Sequence, residues 1–409
     1  MELDLIEPLQ RAIDAENYRK PTPIQARSIP PLLEGRDLLG CAQTGTGKTA
    51  AFALPVLQRL AATVADEALL PRALVLAPTR ELAIQVARSF ETYGKNLELF
   101  GVTIYGGVNE KPQIEELKRG VDWVVATPGR LLDLMGRGFC DLSKVEFFVL
   151  DEADRMLDMG FINDIKKVMK VLPKKRQNLL FSATIPDDIV RLSKSFLHQP
   201  VRVDIAPETP TVDKIDQSVY LVEKRAKRKL IVELAEAQNV QCGIVFTRTK
   251  HGANRLTKRL NKAGISAKAI HGNKSQNARQ KALKALKDGE IRLLVGTDVA
   301  ARGIDVDDVT HVFNFDLPNV AEVYVHRIGR TGRAGRRGTA IAFCDESERE
   351  YLRDIEELIG EKIVVVDGHG YPTASSEAPH SGQPRKAGKR RSSGSKKRPR
   401  HVRPSKWNT

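Results

Sequence analysis

Asp37-Leu38-Leu39-Gly40-Cys41-Ala42-Gln43-Thr44-Gly45-Thr46-Gly47-Lys48-Thr49 passes from an apolar run into a glycine-rich loop, and from Ala50 to Leu60 a helix-length apolar stretch follows. Strand, loop and helix in that order are the setting of a P-loop. Glycine lets the backbone curl so that successive N–H groups face a phosphate at a helix N-terminus. Ala42, Gln43, Thr44, Gly45, Thr46 and Gly47 would form the cradle, Lys48 would reach the β- and γ-phosphates, and the Thr49 hydroxyl would ligate Mg²⁺. Ala42 stands where the GxxxxGK[ST] pattern has glycine. The alternative, a flexible Gly/Thr loop, does not account for the flanking strand and helix.

Such a site needs a carboxylate at the end of a neighbouring strand to hold the metal, and a group to orient water. Phe147-Phe148-Val149-Leu150 followed by Asp151-Glu152-Ala153-Asp154 supplies both. Asp151 would hold Mg²⁺ through its water shell, and Glu152 would position or deprotonate the attacking water. Read alone, the same acids could cap the helix that follows.

Working outward, short apolar runs alternate with amphipathic stretches from residue 35 to residue 365, the rhythm of βα units and parallel sheets. In the first half the spacing predicts strands at Asp37 to Cys41, Ala73 to Ala77, Val102 to Tyr105, Trp123 to Ala126, Val145 to Leu150 and Asn178 to Ser182. A second series runs through Ser218 to Val222, Gly243 to Thr247, Ala267 to Ile270, Arg292 to Gly296, His311 to Phe315 and Thr339 to Phe343. Between them, Ala206-Pro207-Glu208-Thr209-Pro210-Thr211 has two prolines and no apolar periodicity, which reads as a linker. Two α/β domains fit the 409 residues.

Charge is unevenly spread. The total is +15, but His380 to Thr409 holds eleven basic residues and no acidic one, leaving +4 for residues 1–379. Past Val366-Asp367 the composition turns to Gly, Ser, Pro, Lys and Arg, too poor in aliphatics to fold. Such a tail suits non-specific nucleic-acid binding, solubilisation or anchoring of a protein partner. The four cysteines lie about a hundred residues apart without a CxxC pair, so neither a zinc site nor a disulfide framework is expected. The first residues lack a basic n-region and an apolar h-region, and no apolar run is long enough to span a bilayer; the expectation is a cytoplasmic protein with no membrane partner.

The Asp151-Glu152-Ala153-Asp154 turn together with the P-loop resembles the DEAD-box RNA helicases of superfamily 2. Further motifs of that family follow in order. Tyr18-Arg19-Lys20-Pro21-Thr22-Pro23-Ile24-Gln25 is similar to the Q motif. Pro78-Thr79-Arg80-Glu81-Leu82, Gly106-Gly107 and Thr127-Pro128-Gly129-Arg130 resemble RNA-gripping motifs, and Ser182-Ala183-Thr184 the coupling motif. The second half adds Val245-Phe246-Thr247-Arg248-Thr249, Gln276 with Arg279, Thr297-Asp298-Val299-Ala300-Ala301-Arg302-Gly303-Ile304-Asp305, and His326-Arg327-Ile328-Gly329-Arg330-Thr331-Gly332-Arg333. Short loops and the basic tail make the chain look most similar to the bacterial RhlE-type subgroup. Asn17 and Gly296 depart from the family's usual Gly and Ala. The aromatic residue that the family places upstream of the Q motif to stack on adenine would fall at or just before Met1, so it is absent or lies upstream.

The resemblance implies two tandem RecA-like domains, at residues 1–206 (Q motif within 1–26) and 214–366, joined by a short linker at 207–213 and followed by a disordered basic tail at 367–409. It implies ATP and Mg²⁺ as cofactors. Gln25 would pair with the adenine N6 and N7 edge, Asp305 would contact the nucleotide, and Arg330 and Arg333 would be arginine fingers. Asp154, Ser182, Thr184 and His326 would couple the two ligands. RNA would lie against Thr79, Gly107, Thr127, Gly129 and Thr297, with Arg80, Arg130, Gln276 and Arg279 beside it, contacts that read sugar and phosphate and not base edges. The implied activity is ATP-dependent, local, non-processive unwinding of short RNA duplexes, with ribosomal or RNA-decay assemblies as partners. An RNA clamp or chaperone and a DNA helicase are the competing readings.

Overall fold

Continuous apolar runs only four residues long satisfy their backbone and bury both faces when they pair in parallel between helices. The computed structural model, which describes residues 3–42, 45–63, 70–205, 215–298, 309–332 and 337–372, is built this way twice. The first sheet consists of β1 Leu38–Cys41, β2 Ala73–Leu76, β3 Gly101–Ile104, β4 Trp123–Ala126, β5 Phe147–Leu150, β6 Gln177–Ser182 and β7 Val201–Asp204. The second comprises β8 Ile215–Leu221, β9 Gly243–Phe246, β10 Ala267–Ile270, β11 Leu293–Gly296, β12 His311–Asn314, β13 Gly338–Cys344 and β14 Val364–Val365. Their orders are β3-β4-β2-β5-β6-β1-β7 and β10-β11-β9-β12-β13-β8-β14.

In the first sheet alternate residues feed two cores. Val75, Val125, Val149 and Leu179 join Phe52 and Phe90 on one face, while Leu74, Val124, Phe148 and Leu180 join Leu131 and Ile165 on the other. Each such side chain contributes about 1.5–3 kcal/mol of burial. The order β5-β6-β1 has a consequence for chemistry: Cys41 pairs with Ser182 and Leu150 with Leu180, so the loops after β1, β5 and β6 emerge side by side at one edge. Ligand sites of parallel sheets lie at such carboxyl edges.

The expected strands are all present, and the structure adds β7 and β14 at sheet edges. Val201–Asp204 hides only Val203, and Val364–Val365 is exposed and two residues long, so neither shows the apolar run that marks an inner strand. Residues 367–372, assigned to the tail by composition, follow the second sheet: Val366 N donates to Val219 O at 2.9 Å and Glu223 N to Pro372 O at 3.2 Å, with Tyr371 packed on the core. The expected linker at 207–213 and the chain from residue 373 lie outside the described residues. Among the described residues no helix is long and apolar enough to cross a membrane.

Candidate active site

β1 ends at Cys41, and the helix Lys48–Ala61 begins after Gly47, whose φ of +89° lies in the left-handed region. A Cβ at Gly47 would also come within 2.4 Å of Gln25 Nε2 and displace that amide, while the left-handed backbone is what favours glycine. Lys48 is 6% exposed, yet its Nζ has no hydrogen-bond partner; the same holds for Asp151 Oδ1. Burial pushes the Asp151 carboxyl up to about 7, against the pull of Lys48. A cavity of about 850 Å³ is lined by Gly45, Gly47, Lys48, Thr49, Asp151 and Glu152. Buried polar atoms left without partners mark places for ligand groups. Here an ammonium suits phosphate, and a carboxylate near a threonine hydroxyl suits a hard divalent cation. Ala42 is buried and Thr46 half-buried at the loop's ends; Gln43 and Thr44 lie outside the described residues.

Gln25 is buried at the start of helix Pro23–Leu33. Its Oε1 accepts from Thr22 N at 2.9 Å and its Nε2 donates to Gly47 O at 3.2 Å, so the amide splints the Q motif to the P-loop.

Glu152 sits at φ 52°, ψ 52°, a left-handed conformation that costs a non-glycine residue about 1–2 kcal/mol. This kink turns the chain from β5 into helix Ala153–Asp158. Arg155, one turn on and 4% exposed, pairs with the Glu152 carboxylate through Nη1. Asp154 joins the turn to the loop after β6. Its Oδ2 accepts from Ala183 N, Thr184 N and Thr184 Oγ1, each at 3.1 Å, and its own N–H donates to Ser182 Oγ at 3.2 Å. Asp154, Ser182 and Thr184 thus form one hydrogen-bonded unit.

The second lobe completes the cavity. Arg330, 4% exposed, lines it together with Lys48 and Glu152, its Nε donating to His326 O at 3.3 Å. Arg327 faces inward and chelates Asp298, with Nε–Oδ1 2.6 Å and Nη2–Oδ2 2.9 Å. Arg333 and Asp305 lie outside the described residues.

Of the expected RNA contacts, Arg80 and Gly107 meet: at Gly107, φ +78°, a Cβ would lie 2.1 Å from the Arg80 guanidinium. The Thr79 hydroxyl caps helix Arg80–Tyr93, accepting from Leu82 N at 3.2 Å. Thr127 is buried, and Gly129 faces open space. Arg130 lies 3.8 Å from Glu110 and 3.7 Å from Asp133. Thr297 is half-buried directly after β11. Gln276 and Arg279, expected beside RNA, reach across to the first lobe: Gln276 Nε2 donates to Glu81 Oε1 at 2.9 Å, and Arg279 Nη2 lies 2.9 Å from Glu81 Oε2. Glu81, Arg155 and Arg327 are the site residues that sequence reasoning gave no role; for Arg155 the i, i+3 spacing from Glu152 was the available signal.

Two parallel-sheet lobes, a P-loop on the first and an arginine of the second at the same cavity define a two-lobed P-loop ATPase of the helicase type. Residues 22–192 match the DEAD/DEAH box helicase family and residues 226–335 the helicase conserved C-terminal domain. The chain is 44% identical over 362 residues to the ATP-dependent RNA helicase CshA of Listeria monocytogenes, spanning 88% of this chain and 69% of that protein. In structure it resembles Saccharomyces cerevisiae Dbp5 bound to RNA and ADP BeF3, with a TM-score of 0.79 at 35% identity, 89% of this chain and 94% of that one being covered. A DEAD box protein from Methanococcus jannaschii gives a TM-score of 0.53 at 39% identity, over 90% and 98% of the two chains. The chain belongs to the DEAD-box ATP-dependent RNA helicases. The RhlE-type placement is not confirmed: the relatives matched at 43–44% identity are CshA proteins.

Proposed function

We propose that hydrolysis is switched on by lobe closure over RNA, and that this couples ATP turnover to local, non-processive separation of short duplexes. The observation that carries the reading is Arg330 of the second lobe lining one cavity with Lys48 and Glu152 of the first. Neither lobe alone holds both the phosphate cradle and the finger. Lys48 would bind the β- and γ-phosphates, Glu152 would orient the attacking water, and Arg330 would face the charge that develops on the transferred group. Thr49 and Asp151 would hold Mg²⁺, which when bound neutralises charge on the phosphate oxygens. The adenine would replace the internal partners of Gln25.

RNA enters as the ligand that favours closure. Support comes from the fold comparison: similarity is greater to the Dbp5 complex with RNA and ADP BeF3 than to the more nearly identical archaeal protein. With both comparisons covering about nine-tenths of this chain, a difference in the setting of the lobes would account for such a gap. The Asp154 unit would pass the state of the nucleotide site to the RNA edge. The basic tail would add sequence-independent affinity, and the setting would be cytoplasmic ribosomal or RNA-decay assemblies.

The test is steady-state ATP hydrolysis with single-stranded RNA, with matched DNA and with neither. RNA alone is expected to stimulate, Glu152→Gln to lower the stimulated rate by about 10²–10⁴, and Arg330→Ala by about 10³–10⁵. Equal stimulation by DNA, or full activity in either variant, would overturn the reading. Multiple-turnover duplex separation distinguishes unwinding from clamping.

A further inference from the structure

Within residues 1–379, the longest stretch free of acidic residues is also strongly basic. Residues 250–287 contain eleven Lys and Arg and no Asp or Glu, and because residues 1–379 total +4, the rest of that range is net −7. The segment forms helix Lys250–Lys262, edge strand β10 and helix Gln276–Lys287. The helices flank this edge on opposite faces, Leu256 and Leu260 packing with Val295 and, across the sheet, Ala282 and Leu286 packing with Leu294.

In the first helix, Ala253, Leu256 and Leu260 make the buried face. Opposite them Arg255, Lys258, Arg259 and Lys262 fall at i, i+3, i+4 and i+7, one stripe along the helix, all exposed. Among the described residues none of the four has an ion pair. Asp288 is engaged with Lys284 at 2.6 Å and Glu290 with Lys268 at 3.9 Å, while on the neighbouring helix Lys227–Ala237 Glu233 accepts from the Tyr371 hydroxyl and Glu236 is exposed, neither of them in an ion pair with the stripe. Like charges at i, i+4 repel, and a merely solvated helix face ordinarily mixes signs. An unmixed stripe is suited to a polyanion.

The stripe also leads somewhere. The helix begins at the carboxyl edge of the second sheet, where Lys250 Nζ lies 3.3 Å from Asn273 Oδ1, two residues before Ser275, the cap of the helix that carries Gln276 and Arg279. Thr297 follows β11, the neighbour of β10. From that edge the helix runs about 18 Å down the flank of the lobe at 1.5 Å per residue. We propose that the outer face of helix Lys250–Lys262 is a second RNA-docking surface, holding phosphates of the RNA that continues past the segment gripped at the carboxyl edges. Ammonium and guanidinium groups there contact backbone phosphate and read no sequence. This rests on RNA being the ligand of the core.

The test compares the full chain with the variant Arg255→Gln/Lys258→Gln/Arg259→Gln/Lys262→Gln. Equilibrium binding is measured by fluorescence anisotropy across a salt series, with one RNA just long enough for the core and one about three times longer. At about 0.7 phosphate charges per contact, losing four contacts lowers the salt slope for the longer RNA by about 2–3 and its affinity by about tenfold or more. Binding of the short RNA and basal ATP hydrolysis stay unchanged. Equal loss of slope and affinity on the short RNA, or no loss on the long one, overturns the proposal; the latter leaves the stripe to another partner, such as an acidic protein segment. If the natural chain binds neither RNA, the reading of RNA as the core's ligand fails first. Should the melting temperature of the quadruple variant fall, Lys258→Gln/Lys262→Gln serves instead, with half the loss expected, while Arg255→Lys/Arg259→Lys restores binding through charge alone.

Discussion

The contact of Glu81 with Gln276 and Arg279 offers a direct measure of lobe closure. Both charged side chains are nearly sequestered, Glu81 at 5% and Arg279 at 9% exposure, with 2.9 Å between them. At an effective dielectric constant of 20 their Coulomb attraction is about 6 kcal/mol, most of it offset by desolvation, and the ion pair together with the Gln276 hydrogen bond to the same carboxylate retains about 2–3 kcal/mol net. When the lobes part, both groups regain water, so that remainder belongs to the closed state. Glu81→Ala or Arg279→Ala is therefore expected to raise the RNA concentration for half-maximal ATPase stimulation by about 30- to 150-fold, at about 1.4 kcal/mol per decade. The rate at saturating RNA should change far less, because the substitutions leave Lys48, Glu152 and Arg330 in place in the cavity that Glu81 also lines. The double variant is the decisive arm: with the pair already broken, the second substitution should add little, giving a coupling energy of about 2 kcal/mol. Effects that add to within about 0.5 kcal/mol would refute the pairing and leave Arg279 acting on RNA by itself.

Three further outcomes follow from the nucleotide site. Gly47→Ala should abolish ATP binding in a nucleotide-displacement assay without lowering the melting temperature by more than a few degrees, since the new Cβ meets Gln25 Nε2 at 2.4 Å in a backbone at φ +89°. For Asp151, burial raises the carboxyl from its ordinary 3.8 to about 7, so the folded protein binds a proton that the unfolded chain releases between those values. The stability of the nucleotide-free protein should fall as pH rises through that window, and Asp151→Asn should flatten that slope in melts from pH 4 to pH 8. Arg155→Ala should destabilise by about 3–5 kcal/mol in urea by stranding the buried Glu152 carboxylate, whereas Arg155→Lys should restore most of the loss.

Much of the fold is legible in the amino-acid sequence. Inner strands such as Ala73–Leu76 are buried on both faces and so must be apolar without interruption, while β7 alternates Val203 with the exposed Arg202 and Asp204 and leaves no such trace. The P-loop, Asp151, Glu152 and Asp154 were legible because their chemistry fixes residue type and spacing within a few positions of one another. Glu81 was not, because its partners stand 195 and more residues away and only the approach of the lobes gives it a task. The Gln25 amide shows the converse limit: its type was plain, but its splinting of Thr22 to Gly47 depends on a fold that brings the two motifs together.

The oxygen Oδ2 of Asp154 receives three donors at the same 3.1 Å, all from Ala183 and Thr184. Three bonds on one atom tie the turn that carries Glu152 to the loop that leaves β6. They also set an unusually strict chemical demand. Asparagine has the same outline, yet whichever way its amide is turned, one arm is a donor and only one oxygen remains to serve the contacts that two carboxylate oxygens serve now. At this position shape is therefore no substitute for charge.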